Sequence, residues 1–360
     1  MNLIKNLDKR LLKTIGMVVG IILIVFIFLL VIIMIKNGRV SYTQVENKMI
    51  TSAKKYYSAH EDELPKVNNG VVTISTDKLV EEKYLKPLTK LVKDKKAACS
   101  GQVSVTKHDD NLLYSATLNC GDKYETKKLK DVIVKEAVES GNGLYKVEDS
   151  YVFKGDNVNN YLSYAGKVWR ILRINNDGTI RIIETTKRDT TEWDNRYNSE
   201  KQYNVGINDY TVSRAKEYLE NLYEEISIND RAYIVKQNIC IGKRSNTDTD
   251  NSGNIECSNI LENQDLGLIQ TNEFVLASLS DKCISPTNPE CSNYNYISGL
   301  GTLWTVTADN KTTYKVFKIS GSASAAEAAS YAQIRMVVNI NSQVNYVSGD
   351  GSEEKPYKFN

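Results

Sequence analysis

Residues Ile15 to Ile35 (IGMVVGIILIVFIFLLVIIMI) run for 21 positions without a charged side chain. As a helix such a run is about 31 Å long, close to a bilayer hydrocarbon core of about 30 Å. The chain is therefore predicted to cross a membrane once. A cleaved signal peptide has a shorter apolar stretch, roughly 7–15 residues, ending in small side chains. This run instead ends at Lys36-Asn-Gly-Arg39, so an uncleaved anchor is expected. Lys5, Lys9, Arg10 and Lys13 precede the run and only Lys36 and Arg39 follow it closely. The excess of basic residues orients the N-terminus to the cytoplasm and residues 40–360 outside the cell membrane.

Charge is graded along the chain. The first 39 residues carry a net +5, residues 40–130 a net +4 and residues 131–360 a net −7, within a total of +2. An outer body without net positive charge excludes nucleic acid as a partner, because duplex binding needs a dense basic surface to release counterions. His60 and His108 are the two histidines, which leaves little material for histidine-based metal centres or catalytic triads.

All six cysteines, Cys99, Cys120, Cys240, Cys257, Cys283 and Cys291, follow the apolar run, on the side where disulfides persist. Six cysteines admit many connectivities. Pairing in sequence order is the expectation, since each successive pair encloses one hairpin or one polar loop. None has the two-residue spacing of a zinc knuckle or a thioredoxin-type redox site.

Beyond a cytoplasmic tail (1–14) and the anchor (15–35), a stalk helix is expected over 36–65. Val45, Met49, Ala53 and Tyr56 recur at helical steps, and Pro65 closes the segment. Residues 66–130 read as a small α+β domain. It holds a strand at Val71–Ser75, a helix opening near Thr76, and a hairpin of Gln102–Lys107 with Leu112–Leu118 whose open ends carry Cys99 and Cys120. Eleven lysines between Lys83 and Lys130 give this domain a basic face suited to a solvated surface, anionic headgroups or an anionic cell-wall polymer. A connecting helix is expected over 131–142. The larger domain, 143–360, contains a hairpin around Asn176-Asp-Gly, a helix at Ser213–Glu225 capped by Ser213, a polar stretch over 240–300, and strands at Leu303–Thr307, Thr313–Ile319 and Ile334–Ile340. Hairpins, few helices and long polar loops make the fold class α+β.

Tyr151-Val-Phe-Lys-Gly, Lys167-Val-Trp-Arg-Ile, Trp304-Thr-Val-Thr, Ile334-Arg-Met-Val-Val-Asn-Ile and Ser348-Gly-Asp-Gly-Ser-Glu-Glu-Lys-Pro-Tyr resemble segments of surface modules from gut-dwelling Gram-positive bacteria. Those modules are similar to the C-type-lectin-like fold shared with formylglycine-generating enzymes. The resemblance covers roughly 143–360 and implies paired terminal strands with long loops at one end. The paired reactive cysteines of the enzyme branch have no counterpart here, so its activity is not implied. The anchor followed by Ala53-Lys-Lys-Tyr-Tyr resembles the stem of type IV pilin-like proteins, without their early glutamate or cleavage signature.

Two constellations could carry chemistry. Asp248, Asp250 and Ser252 stand on alternate residues before Gly253, with Asn254 and Glu256 following. This is the pattern of an EF-hand-like loop, in which hard oxygens surround calcium. Asn259 stands where such a loop needs its bidentate carboxylate, and a solvated loop closed by Cys240 and Cys257 is the alternative. Asp248-Thr-Asp250 also matches the metal-binding pair of many glycosyltransferases, whose nucleotide-sugar domain requires alternating strands and helices. Tyr294, Tyr296 and Trp304 are candidates for a surface that stacks on sugars or on a protein; packing within hairpins is the alternative.

No phosphate loop, nucleophile elbow or His-Glu-x-x-His occurs in the chain, so no enzymatic activity is expected and no cofactor is required beyond the candidate calcium. The sequence thus points to a single-pass, membrane-anchored extracellular binding or adhesion protein, with a glycan, a cell-wall polymer or a protein as its ligand. A pilin-like or envelope-assembly subunit is the alternative, and a metal-dependent glycosyltransferase a remote one.

Overall fold

The computed structural model describes residues 14–27, 39–94 and 96–360. Residues 14–27 form helix α1. Among the described residues no helix is long and apolar enough to cross a membrane. The predicted cytoplasmic tail up to residue 13, the rest of the predicted anchor (28–35) and the first three stalk residues (36–38) lie outside the described residues. The described remainder is α+β, mostly antiparallel sheet with few helices.

Helix α2 spans Tyr42–Ala59. Ser41 and Gln44 form a reciprocal capping box at its start, each side chain bonding the other residue's backbone N–H. Its apolar stripe, Val45, Met49, Ala53, Tyr56 and Tyr57, is fully buried. That stripe packs on a three-stranded antiparallel sheet of β1 (Val71–Ser75), β2 (Ser100–His108) and β3 (Asn111–Asn119), meeting Ile74, Val103, Val105 and Leu118. The helix expected as a stalk shares one core with the small domain. Short helices α3 (Thr76–Glu81) and α4 (Leu88–Leu91) close the core's flank. The cap of α3 is Ser75, whose hydroxyl accepts from Lys78 N at 3.1 Å.

The expected connecting helix is shorter than predicted and starts earlier, as α5 (Leu129–Val134). Residues 135–142 leave the helix because Val138 N donates to Leu144 O at 2.8 Å and Ala137 bridges Leu144. Gly143 passes so close to Val138 that an added Cβ would lie 2.6 Å from it.

The larger domain is built on two sheets. One runs Val337–Ile340, β8 (Ile180–Glu184), β7 (Lys167–Ile174), β5 (Ser150–Lys154) and β4 (Gly143–Val147), with β6 (Tyr161–Tyr164) also pairing β7. Between β7 and β8 the turn has Gly178 in the left-handed region (φ 79°), and Asp177 accepts from both the amide and the hydroxyl of Thr179. The second sheet orders Ala323–Glu327, Lys315–Ile319, Leu303–Ala308, Tyr331–Gln333 and β9 (Thr190–Glu192). Among strand pairs of the described residues, Leu303–Ala308 with Tyr331–Gln333 is the parallel one. The predicted strand at 334–340 begins only at Val337, since Arg335 turns inward and donates to Thr185 O and Leu300 O, each at 2.7 Å.

Helix α6 (Arg214–Tyr223) starts at Ser213 as predicted and buries Ala215, Leu219 and Leu222. Helices α7 (Ile228–Arg231) and α8 (Thr271–Leu276) complete the set. Trp169, Trp193 and Trp304 anchor the core, and each indole N–H donates to a backbone carbonyl, of Tyr164, Thr305 and Thr191 respectively. The disulfides pair in sequence order: Cys99–Cys120, Cys240–Cys257 and Cys283–Cys291.

Candidate ligand cleft between the two domains

The loop read as a calcium site is organised around an arginine. Arg244 is fully buried and donates to Glu256 Oε1 at 2.7 Å, to the carbonyl of Asp248 at 3.1 Å and to that of Asp250 at 3.2 Å. Its guanidinium thus holds the backbone of the 248–250 segment from inside. The Asp248 carboxylate accepts from Ser245 N and the Asp250 carboxylate from Ser252 N and Oγ, while the Ser252 hydroxyl also accepts from Asn254 N. The Asp248 and Asp250 carboxylates and the Ser252 hydroxyl are thus engaged within the loop, and Glu256 is engaged by Arg244. A buried arginine inside an Asn- and Asp-rich loop leaves no periodic trace in the sequence.

The aromatic surface does not form. Tyr296 and Trp304 are core residues at 3% and 1% exposure, and Tyr294 alone of the three is exposed. Tyr296 stacks beneath the Arg170 guanidinium, 4.8 Å from its centroid, instead of facing solvent. Cys240–Cys257 ties the end of strand Gln237–Cys240 to the Arg244 loop, so the disulfides frame the region without supplying a reactive group.

A different place gathers polar chemistry. The small domain and the larger one meet where the β2–β3 turn abuts the segment before strand Gln237–Cys240. Asn69, left-handed at φ 61°, uses both ends of its amide on Lys236, donating to its carbonyl at 2.8 Å and accepting from its N–H at 3.0 Å. Lys236 Nζ lies 2.8 Å from Asp265 and 3.2 Å from Asp109. Beside them His108 Nε2 is 3.3 Å from Asp265 and 3.1 Å from Tyr223 Oη. Burial lowers the pKa of this imidazole despite the opposing pull of Asp265 and Asp109, which keeps it neutral at neutral pH. The ligand atoms of His108, Asp109 and Asp265 lie within 4.8 Å of one another, and Lys236 is the cation they face. A second clasp forms farther along β3, where Lys128 Nζ donates to Gln343 O and Asn345 Oδ1, each at 2.8 Å, and Asn345 Nδ2 donates to Ala116 O.

Between these clasps lies a cleft of about 690 Å³. Asn69, Val71 and Thr106 form its small-domain wall; Arg173, Arg181, Gln237 and Asn339 dominate the other. Among the described residues no aromatic side chain lines it. Arg181 is saturated, with Nε and Nη2 on Glu273 at 2.5 and 3.1 Å and Nη1 on Gln237 at 2.6 Å. Burial pushes the Glu273 carboxyl upward, but Arg181 and Arg173 outweigh it and hold the group below the ordinary carboxylate value.

Arg173 is placed differently. Among the described residues its ion-pair contact is Glu273, at 3.8 Å, and its buried Nε has no hydrogen-bond partner. Burial lowers its pKa, though an arginine stays charged at any physiological pH. Thr106 Oγ1 and Asn339 Oδ1, both buried and on the same cleft, also lack partners. Buried polar atoms are nearly always satisfied, and among the described residues these three unpaired ones belong to side chains that line a single cavity. Arg173 between Leu172 and Ile174, and Arg181 between Ile180 and Ile182, were the available sequence signal.

Comparison with protein-family models, with curated proteins and with solved structures finds no match for this chain.

Proposed function

We propose that this chain is a single-pass membrane protein whose outer region binds a ligand in the cleft between its small and larger domains. The observation that carries the reading is the set of unpaired buried groups, Thr106 Oγ1, Arg173 Nε and Asn339 Oδ1, around one interdomain cavity. The apolar run Ile15–Ile35 and the positive charge before it support an anchor with the N-terminus in the cytoplasm. Three disulfides support an oxidising, extracytoplasmic setting for residues 40–360. The larger domain is read as a C-type-lectin-like module on the motifs quoted above, and the whole as a surface binding or adhesion protein of bacterial type. Full-length chain in nonionic detergent, applied to a glycan array beside a Ser342→Trp variant that plugs the cleft, tests this. Binding by the wild type and its loss in the variant is the expected result; equal binding by both, or no binding by the wild type here and in the titrations described below, overturns it.

One observation favours a second reading, an envelope-assembly subunit of pilin-like build: α2 lies along a small antiparallel sheet and shares its core. The mass of the mature N-terminus separates the two, since an intact Met1–Ile35 excludes pilin-type processing. A nucleotide-sugar domain would need a parallel sheet with crossover helices, and among the described residues the strand pairs are antiparallel apart from Leu303–Ala308 with Tyr331–Gln333.

A further inference from the structure

The chemistry of the cleft narrows the ligand class, and the narrowing rests on the binding function proposed above. Arg173 presents a planar fork of donors with a single ion contact, 3.8 Å away, to a carboxylate already engaged by Arg181. Such a fork matches a carboxylate or phosphate in two parallel bonds. Around it stand groups that both donate and accept, the amide of Asn339 and the hydroxyl of Thr106, each with an unpaired buried oxygen. These suit hydroxyls, which also do both. Neutral sugars are commonly held by stacking an apolar ring face on an aromatic side chain, and this lining offers none. Recognition here must therefore come from charge and hydrogen bonds.

We infer that the cleft takes an anionic, hydroxyl-rich unit: its carboxylate or phosphate pairs with Arg173, and its hydroxyls are met by Asn339 and, across the cleft, Thr106. Because Thr106 belongs to the small domain and Arg173 and Asn339 to the larger one, occupancy fastens the two domains together. An acidic polysaccharide carries this chemistry in uronate residues, and a phosphate-linked polyol carries it in its backbone.

Calorimetric titration of the full-length chain in nonionic detergent distinguishes these sources, using trigalacturonate, a glycerol phosphate oligomer and neutral maltotriose as probes. At least one anionic probe is expected to bind, maltotriose is not, and added salt weakens the binding. Arg173→Gln should weaken it about tenfold or more, the scale of a lost charge-assisted pair. Asn339→Asp, which keeps the side chain's size and adds repulsion, should do the same. Thermal melts establish that both variants are folded. Binding of maltotriose as tight as that of the anions, insensitive to Arg173→Gln but lost in Ser342→Trp, overturns the anionic ligand class and leaves the cleft reading intact. No binding of either anionic probe, with glycan-array hits lost in Ser342→Trp, overturns this inference alone; no binding in any format overturns both.

Discussion

Arg244 and Glu256 form an ion pair of 2.7 Å in which neither side chain reaches solvent. The same carboxylate oxygen accepts from Asn272 N at 3.1 Å, so the pair ties the 245–257 loop to the start of α8. Removing one member of a buried pair strands the other's charge, at a cost of about 3–5 kcal/mol. Arg244→Met is expected to destabilise the larger domain by that amount, read as a lowered denaturant midpoint with an unchanged slope. A change below about 1 kcal/mol would show that the loop is held by other means.

Glu256 is paired with Arg244, and the Asp248 and Asp250 carboxylates accept hydrogen bonds from their own loop, so calcium would have to displace these contacts. Thermal melts with millimolar calcium and with chelator are expected to coincide, whereas a ligand that binds the folded state at concentrations well above its Kd raises stability. A chelator-dependent fall in Tm would restore the ion to this loop.

Trp304 and Tyr294 are neighbours in sequence terms with opposite surroundings, one in the core and one in solvent. Trp304→Ala removes a buried indole and should cost about 3–5 kcal/mol. Tyr294→Ala should stay within about 0.5 kcal/mol. Chemical denaturation of the two variants checks the contrast, and similar values for both would contradict the assigned burial.

Lys128 clasps Gln343 and Asn345 from a half-buried position, and burial lowers its pKa from the ordinary 10.5 to about 8. Between those values the unfolded chain keeps a proton that the folded chain has shed, so stability rises with pH across that window. Below about 8 both states are protonated and the full penalty of burying the charge is present. Measured against Lys128→Met, which cannot titrate, the wild type should gain stability steadily from about pH 8 to pH 10.5. A pH-independent difference would mean that the ammonium is not desolvated.

Much of the fold was legible because its signals are local. The Asn176-Asp-Gly turn, the Ser213 cap and the alternation of β2 and β3 each act over a few residues. Pairing of the cysteines in order also followed from short loops. What escaped depends on tertiary contact. Residues 135–142 have helical composition, yet Val138 pairs with Leu144 instead, a bond between segments that meet only after folding. For Tyr296 and Trp304 the sequence left a surface role and packing within hairpins side by side, and the structure buries both. The cleft was illegible for the same reason: Thr106, Arg173 and Asn339 come from three strands in two domains, and no spacing along the chain connects them.

The central claim is that a ligand seats between the two domains. Hydrogen–deuterium exchange of the full-length chain, with and without the tightest binder from the glycan array, tests it most directly. Added ligand is expected to slow exchange in peptides covering 69–75, 104–108, 171–175 and 337–342 together, since these carry the two walls of the cleft. Protection confined to the 246–257 loop or to 292–304, with the cleft peptides unchanged, would contradict the account.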